Sequence, residues 1–386
     1  MTENCALILG DYINGYAIVK ELFDNNVENI IVVTYNKKLA YFSSMVKESY
    51  EIKQSKNDLL SILNTLKRTY SKLILFPTDD WFVEQITELE YHIQDFCFIP
   101  FNPSNSLECS NKVIQYEFCE KYEIPFPKTI SINTKQDFEK IYDINYPLII
   151  KPVVRNDLSI DVFRSRLFQN SIDLEQGIPD LSRLIDHGIR FLISEVVPGK
   201  SHGNIYAYSA YISKDGQILN EWAGRKLSQY PDDYGVFSSA SNEAPDVILE
   251  QGRKLVLSMG ITGFCEPEFK FDYRDGLYKL MEVNLRSMMW NEVGRISGVN
   301  LHYTQWRYAN DLSIPKYIQD RSKKVILFYY KHELLNLIFQ KDYSMIFKSL
   351  WKEPNKYWAG CYKNDFKPIY KNLIITLKTI ISRFKK

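Results

Sequence analysis

The sequence predicts an α/β fold that opens as a doubly wound sheet, on three observations. Short apolar runs of strand length recur at Cys5-Ala-Leu-Ile-Leu9, Ile30-Ile-Val-Val33 and Lys72-Leu-Ile-Leu-Phe76. Segments 16–25 and 59–68, which separate them, carry the apolar spacing of helices. Later in the chain, strand patterns meet across turn residues, at Lys214-Asp-Gly216 and Asp275-Gly276.

Composition narrows the function classes. The 386 residues suffice for two or three domains with a sizeable core. Hydrophobic residues at 45% and charged residues at 25% are ordinary for a soluble globular protein. Lys+Arg 48 against Asp+Glu 47 leaves a net charge of +1, so no global field points to nucleic acid. Six cysteines lack any Cys-x-x-Cys spacing, which predicts neither a zinc site nor a disulfide framework. No basic leader precedes the first apolar run, and no apolar stretch reaches about 18 residues. The expected location is the cytoplasm, with reduced thiols.

After the first strand comes Gly10-Asp-Tyr-Ile-Asn-Gly15. It lacks the full G-x-G-x-x-G, so a structural turn or a substrate-side loop is expected rather than a dinucleotide site. Pro77-Thr-Asp-Asp80 opens a helix with acids at its N-terminus, as the helix dipole favours. It lies at the carboxyl end of a strand, where open sheets bind ligands, so plain capping and substrate contact stand as alternatives. Residues 100–105 read as a linker, and a capped helix from Ser110 ends before Pro125 and Pro127. Tyr146-Pro-Leu-Ile-Ile-Lys-Pro152 carries Lys151 out of an apolar strand, a costly place unless it meets a charge. Residues 153–170 hold no glycine; Arg155, Arg164 and Arg166 either grip phosphate or lie on the surface.

Arg190-Phe-Leu-Ile-Ser-Glu-Val-Val-Pro-Gly199 is the next strand end. Strands at 205–212 and 218–223 then deliver Gly224-Arg-Lys-Leu-Ser-Gln-Tyr-Pro231. Adjacent Arg225 and Lys226 point to opposite faces of a strand, so one alone is expected to reach a ligand. Residues 235–241 are small and polar, and a mobile loop is expected there; 247–259 and 301–312 carry helical spacing.

The chain centres on a hairpin, with strands at 266–272 and 277–283. Alternation puts Glu266, Glu268 and Lys270 on one face, and Glu282 and Asn284 on a common face of the second strand. Glu268, Glu282 and Asn284 make an oxygen-rich patch suited to a hard cation, with Arg286 just beyond.

This hairpin resembles the metal-binding hairpin of the ATP-grasp ligases, in which a Glu precedes Glu-x-Asn-x-Arg; here the spacing is 282 − 268 = 14. The flanking motifs resemble the same superfamily. The resemblance implies an α/β fold, with an α+β lid and an N-terminal Rossmann-like pre-ATP-grasp domain. It implies metal ligation by Glu268, Glu282 and Asn284. Lys112, Lys151, Glu195, Val196 and Val197 would hold the nucleotide, the two valines offering backbone to adenine. Arg225, Lys226 and Arg286 would be catalytic. Asn111 stands where the family commonly has Asp, and the glycine-rich flap is absent. The implied layout is 1–105 for the Rossmann-like domain, 106–190 for linker helix and lid, 191–312 for the large subdomain with the metal site, and 313–386 for a basic, aromatic-rich extension.

The implied activity is that of an ADP-forming carboxylate–amine ligase using ATP and Mg²⁺, with Mn²⁺ as an alternative. A carboxylate would be activated as an acyl phosphate and coupled to an amine or amino acid. Carbamoyl-phosphate-synthase-like and D-aspartate ligases are the branch resembled, which implies cell-wall or surface-polysaccharide synthesis. The rival expectations are a non-catalytic nucleotide-binding scaffold and a membrane-surface adaptor. The last rests on the C-terminus. Leu373, Ile374, Leu377, Ile380, Ile381 and Phe384 fall at helical spacing among Lys371, Lys378, Arg383, Lys385 and Lys386, and no acid follows Asp365. Such a helix either docks on its own domain, the expectation preferred here, or makes peripheral contact with the inner face of an anionic membrane.

Overall fold

The computed structural model describes residues 3–153, 162–163, 165–200, 202–231 and 235–384. In chain order the first stretch is β1 (Cys5–Leu9), α1 (Ile13–Asp24), β2 (Ile30–Thr34), β3 (Glu48–Glu51), α2 (Lys56–Leu66), β4 (Leu73–Pro77), α3 (Asp80–Ile93), β5 (Cys97–Phe98) and α4 (Pro103–Ser110). Then come α5 (Lys112–Lys121), β6 (Thr129–Ile132), β7 (Leu148–Pro152), β8 (Arg166–Phe168), α6 (Ser171–Asp186) and β9 (Phe191–Glu195). The third stretch is β10 (Ile205–Ile212), β11 (Ile218–Tyr230), β12 (Val236–Ser241), α7 (Asp246–Ser258), β13 (Gly263–Asp272) and β14 (Leu277–Asn284). Last are α8 (Glu292–Ile296), α9 (Leu301–Ala309), β15 (Val325–Tyr329), α10 (Tyr330–Phe339), α11 (Tyr343–Trp351), β16 (Asn355–Ala359) and α12 (Phe366–Phe384).

The chain forms two compact units, one of Met1–Leu107, Lys200–Glu268 and Asn284–Lys386, the other of Glu108–Gly199 and Phe269–Val283. It passes between them within β13 and returns within β14. The first unit opens with a parallel sheet in the order β3-β2-β1-β4-β5. Its inner strands β1, β2 and β4 read as apolar runs because both faces are covered, while the edge strand β3, Glu-Ser-Tyr-Glu, is polar. Ala6, Ile8, Val32 and Phe76 join one core, while Leu7, Leu9, Val33 and Leu75 join another. The second unit carries an antiparallel sheet, β6-β9-β7-β8, over a core that includes Leu148, Ile150, Phe191 and Ile193.

Several expectations change. The helix after β1 begins at Ile13, so Gly15 belongs to α1 and the phosphate-loop reading loses its loop. Gly10 holds φ +105°, a left-handed conformation that glycine accepts without strain. A Cβ on Gly15 would strike the Gly10 carbonyl, so this is a close structural turn. The expected linker at 100–105 already contains the start of α4, with Pro103 at its first residue, where a missing N–H costs nothing. The expected mobile loop at 235–241 is instead β12, a buried strand. Its small polar side chains are satisfied by a buried helix face. Ser238 Oγ donates to Glu333 (2.6 Å), Asn336 donates to Ser238 (3.2 Å), and Ser239 shares a bond with Ser228 (2.5 Å).

The segment from 313 on also proves more than an extension. β15 and β16 complete a seven-stranded sheet, in the order β14-β13-β10-β11-β12-β15-β16. β15, Val-Ile-Leu-Phe-Tyr, is wholly buried. Behind it, His332 of α10 is packed against Tyr329 and Tyr230, and its Nδ1 donates to the Phe237 carbonyl (2.6 Å). Burial lowers the His332 pKa to about 4. The folded state thus refuses a proton that the unfolded chain accepts below its ordinary value near 6.5. Stability from this group is complete above about 6.5 and is lost as pH falls toward 4, with a slope approaching about 1.4 kcal/mol per pH unit. His332→Gln is expected to flatten urea-unfolding stability between those pH values relative to the parent. An equal acid slope in both proteins would refute the assignment.

Candidate functional site

In the first unit, the functional side chains come from β11, β13 and the chain after β14. The 13-residue length of β11 extends the expected strand through Arg225-Lys226. Gly224 precedes them because a Cβ there would run into the Ser241 carbonyl and the Trp222 ring. Alternation sends the two cations to different partners. Arg225 donates to Glu243 (2.9 Å), and Lys226 donates to both oxygens of Glu268 (2.7 Å each). The Lys226 and Glu268 side chains are only 8% and 6% exposed. The charged hairpin face is thus covered rather than solvated. Glu266 is fully buried, accepts from Ser209 Oγ (2.6 Å), and titrates near 8, raised first by burial and then by the neighbouring Glu268.

Beyond β14, the buried Asn284 Nδ2 has no hydrogen-bond partner among the described residues. Arg286 forks onto Asp80, Nε to Oδ1 at 2.5 Å and Nη2 to Oδ2 at 3.1 Å. Asp80 opens α3 directly after Asp79, whose side chain caps the helix by accepting from the Phe82 N–H (3.0 Å). The carboxyl edge of β4 therefore carries the cap at Asp79, and Asp80 partners the candidate site residue Arg286. A pocket in this unit is lined by Ile18, Phe76, Pro77, Arg286, Ser287 and His302. His302 bridges Ser287 Oγ (2.9 Å) and Glu21 (2.7 Å) within it.

In the second unit, Lys112 is the first residue of α5, and Asn111 caps that helix by accepting from the Val113 N–H (2.9 Å). Asparagine caps a helix as well as aspartate does. Gln115 fixes the helix against β14. Its Nε2 donates to the Cys109 carbonyl (2.8 Å), and its Oε1 accepts from the Val283 N–H (3.1 Å). Lys112 thereby reaches Glu282 at 3.0 Å, in a pair 32% and 39% exposed. Lys151 sits on β7, paired in register with Leu192 and half-buried.

Glu195 ends β9 and is buried in a network that sequence reasoning missed. It accepts from Arg274 (3.1 Å), Lys279 (3.4 Å) and the Lys128 N–H (3.2 Å). The Arg274 guanidinium also holds Asp272 well below the usual carboxylate range. The Val196 N–H donates to the Pro147 carbonyl (2.9 Å), and the Val197 carbonyl accepts from Lys270 (2.9 Å). Part of the backbone expected to face adenine is thus engaged within the protein. Of the three arginines between 153 and 170, Arg155 and Arg164 lie outside the described residues. Arg166 pairs with Asp180 (3.0 Å) and lies over the Phe163 ring.

Among the described residues, no three His, Cys, Asp or Glu side chains gather as a metal cluster. The expected set has two carboxylates and an amide, so it does not require one. Its chemistry fits Mg²⁺. Glu268 and Glu282 each already hold an ammonium group, and the half-buried Asn284 contributes a side-chain amide oxygen beside them in sequence. Hard oxygen donors of this kind suit Mg²⁺.

No family model matches the chain. It is 25% identical over 258 residues to the D-aspartate ligase of Enterococcus faecium (strain Aus0004), covering 62% of this chain and 60% of that protein. The chain thus spans about three fifths of the length of this curated relative. The ADP complex of Staphylococcus aureus N5-carboxyaminoimidazole synthetase superposes with a TM-score of 0.64 at 13% identity, over 97% of this chain and 96% of that one. The L-amino acid ligase of Bacillus licheniformis gives a TM-score of 0.58 at 12% identity, over 80% and 74% of the two chains. The chain thus has the ATP-grasp fold of these solved structures, with a partial sequence likeness to a D-aspartate ligase.

Proposed function

We propose that the protein is an ADP-forming carboxylate–amine ligase dependent on ATP and Mg²⁺. The observation that carries this reading is the pairing of both candidate metal carboxylates with a lysine, Lys226 with Glu268 and Lys112 with Glu282. Glu268, Glu282 and Asn284 would hold the metal, with Mn²⁺ as its substitute. Bound Mg²⁺ would neutralise charge on the ATP phosphates.

The chain's own residues do the rest. Lys151 and Lys112 meet phosphate charge. Glu195 holds the turn network of the hairpin in place beside Val196 and Val197, whose remaining backbone groups receive adenine. Arg286 and one of Arg225 and Lys226, which face opposite sides of β11, supply positive charge where it is needed as the substrate carboxylate oxygen attacks the γ-phosphorus and ADP leaves. The amine then displaces phosphate from the acyl group and gives up a proton. The likeness to a D-aspartate ligase supports an amino acid as one substrate; a cell-wall or surface-polysaccharide precursor is the other substrate in this reading.

The test is ADP release with ATP and Mg²⁺ across a panel of carboxylates paired with amino acids. Stimulation by one pair supports the reading, and none across the panel sinks it. Lys151→Ala is expected to weaken ATP binding by roughly 1–3 kcal/mol, the scale of a lost charge-assisted bond. Unchanged affinity by calorimetry would remove Lys151 from the site.

A further inference from the structure

The C-terminal helix docks with the face opposite to the one its sequence favours. The residues of α12 that are buried are Pro368, Asn372 and Thr376. Asn372 Nδ2 donates to the Tyr329 hydroxyl (3.1 Å), and Thr376 bonds back to the Asn372 carbonyl (2.8 Å). Most of the apolar stripe is left outside, though Ile374 and Ile380 are half-buried and the Phe384 ring lies 5.4 Å from that of Phe339. Phe366, Tyr370, Leu373, Leu377, Ile381 and Phe384 are 71%, 63%, 42%, 49%, 55% and 71% exposed. Their intervals of four, three, four, four and three residues place them in one line along the helix. The 19 residues of α12 make that line about 28 Å long.

Charge decides what covers it. Lys367, Lys371 and Lys378 each directly follow a stripe residue, so they share one flank of the stripe. Lys371 lies over the Phe42 ring, which steadies that flank. No acid follows Asp365, and Asp365 itself is buried, accepting from Tyr16 (2.8 Å) and Ser43 (2.7 Å). A second copy of this helix would bring like charges together. An anionic lipid surface offers both an apolar boundary for the stripe and phosphate charge for the lysines.

We propose that α12 is an interfacial helix that seats the protein on anionic bilayers, its stripe entering the acyl boundary and its lysine flank meeting the headgroups. Amphipathic helices with cations beside the apolar face lie in the membrane plane in this way. Among the described residues no helix is long and apolar enough to cross a membrane, so the contact is peripheral. The inference stands apart from the ligase reading, since neither stripe nor flank belongs to the candidate site.

The full-length protein is to be sedimented with vesicles of phosphatidylcholine alone and with vesicles rich in phosphatidylglycerol. Binding is expected only to the second and should fall with salt. Lys367→Gln/Lys378→Gln should lower the partition coefficient about 25-fold, since each headgroup-facing cation contributes about fivefold. Leu377→Ser/Ile381→Ser should abolish binding while melting temperature and ADP release stay at the parent values. Lipid-independent sedimentation, or no binding to either vesicle, overturns the proposal. A fall in melting temperature of the serine variant would overturn it too, because the stripe would then be covered by the protein itself. A dimer in sedimentation velocity that the serine variant dissolves would assign the stripe to a second copy instead.

Discussion

Glu282→Gln is expected to abolish Mg²⁺-dependent turnover and to leave the melting temperature unchanged. The substitution keeps size and hydrogen-bonding shape but removes one negative charge from the expected donor set. A single lost electrostatic contact at a reacting phosphoryl or acyl centre costs on the order of 10²–10³-fold in kcat, and loss of a metal ligand adds to that. The stability side follows from exposure. Glu282 is 39% exposed and Lys112 32%, so their ion pair is largely screened and is worth about 0–1 kcal/mol. A residue kept for structure would show the reverse pattern, with a melting shift and full activity. Measuring ADP release over a Mg²⁺ titration, beside thermal unfolding, separates the two. Parent rates at limiting Mg²⁺ would remove Glu282 from the metal site.

The sequence made β1, β2 and β4 of the opening sheet readable, because strands covered on both faces are apolar throughout. It also made the hairpin readable, since period-two alternation and Asp275-Gly276 are local signals. Alternation correctly grouped Glu266 with Glu268 but could not say that the face is covered, as that depends on what packs above β11 and β13. The Arg286–Asp80 fork joins residues 206 apart, and the Arg274–Glu195 contact joins residues 79 apart. Neither leaves a local trace. β15 was obscured by the Lys- and Tyr-rich stretch around it, although its Val325-Ile-Leu-Phe-Tyr329 run is an ordinary buried-strand signal. In α12 the periodicity located the stripe yet pointed it inward. The preferred docking account was right that the helix packs on its own unit, through Asn372 and Tyr329, and wrong about which side does so.

The other large effect concerns the pair at the centre of the first unit. Lys226→Met leaves the Glu268 carboxylate buried without its cation, close to a second buried carboxyl at Glu266. Breaking a buried pair from one side typically costs about 3–5 kcal/mol, because the remaining charge has lost both water and partner. Glu268→Gln strands the lysine instead and should cost a similar amount. The double variant removes both charges, and an uncharged pair of similar volume is often close to neutral. Urea unfolding of the four proteins is therefore expected to give a strongly non-additive cycle, with the double variant more stable than either single one. Additive losses below about 0.5 kcal/mol each would show that the pair is not coupled as its burial demands. A second reading tests the metal assignment. Mg²⁺ added without nucleotide should raise the melting temperature of Lys226→Met, since Glu268 there lacks a cation, and should do nothing for Glu268→Gln. If both variants respond equally, Glu268 is a structural partner of Lys226 and the metal is held elsewhere.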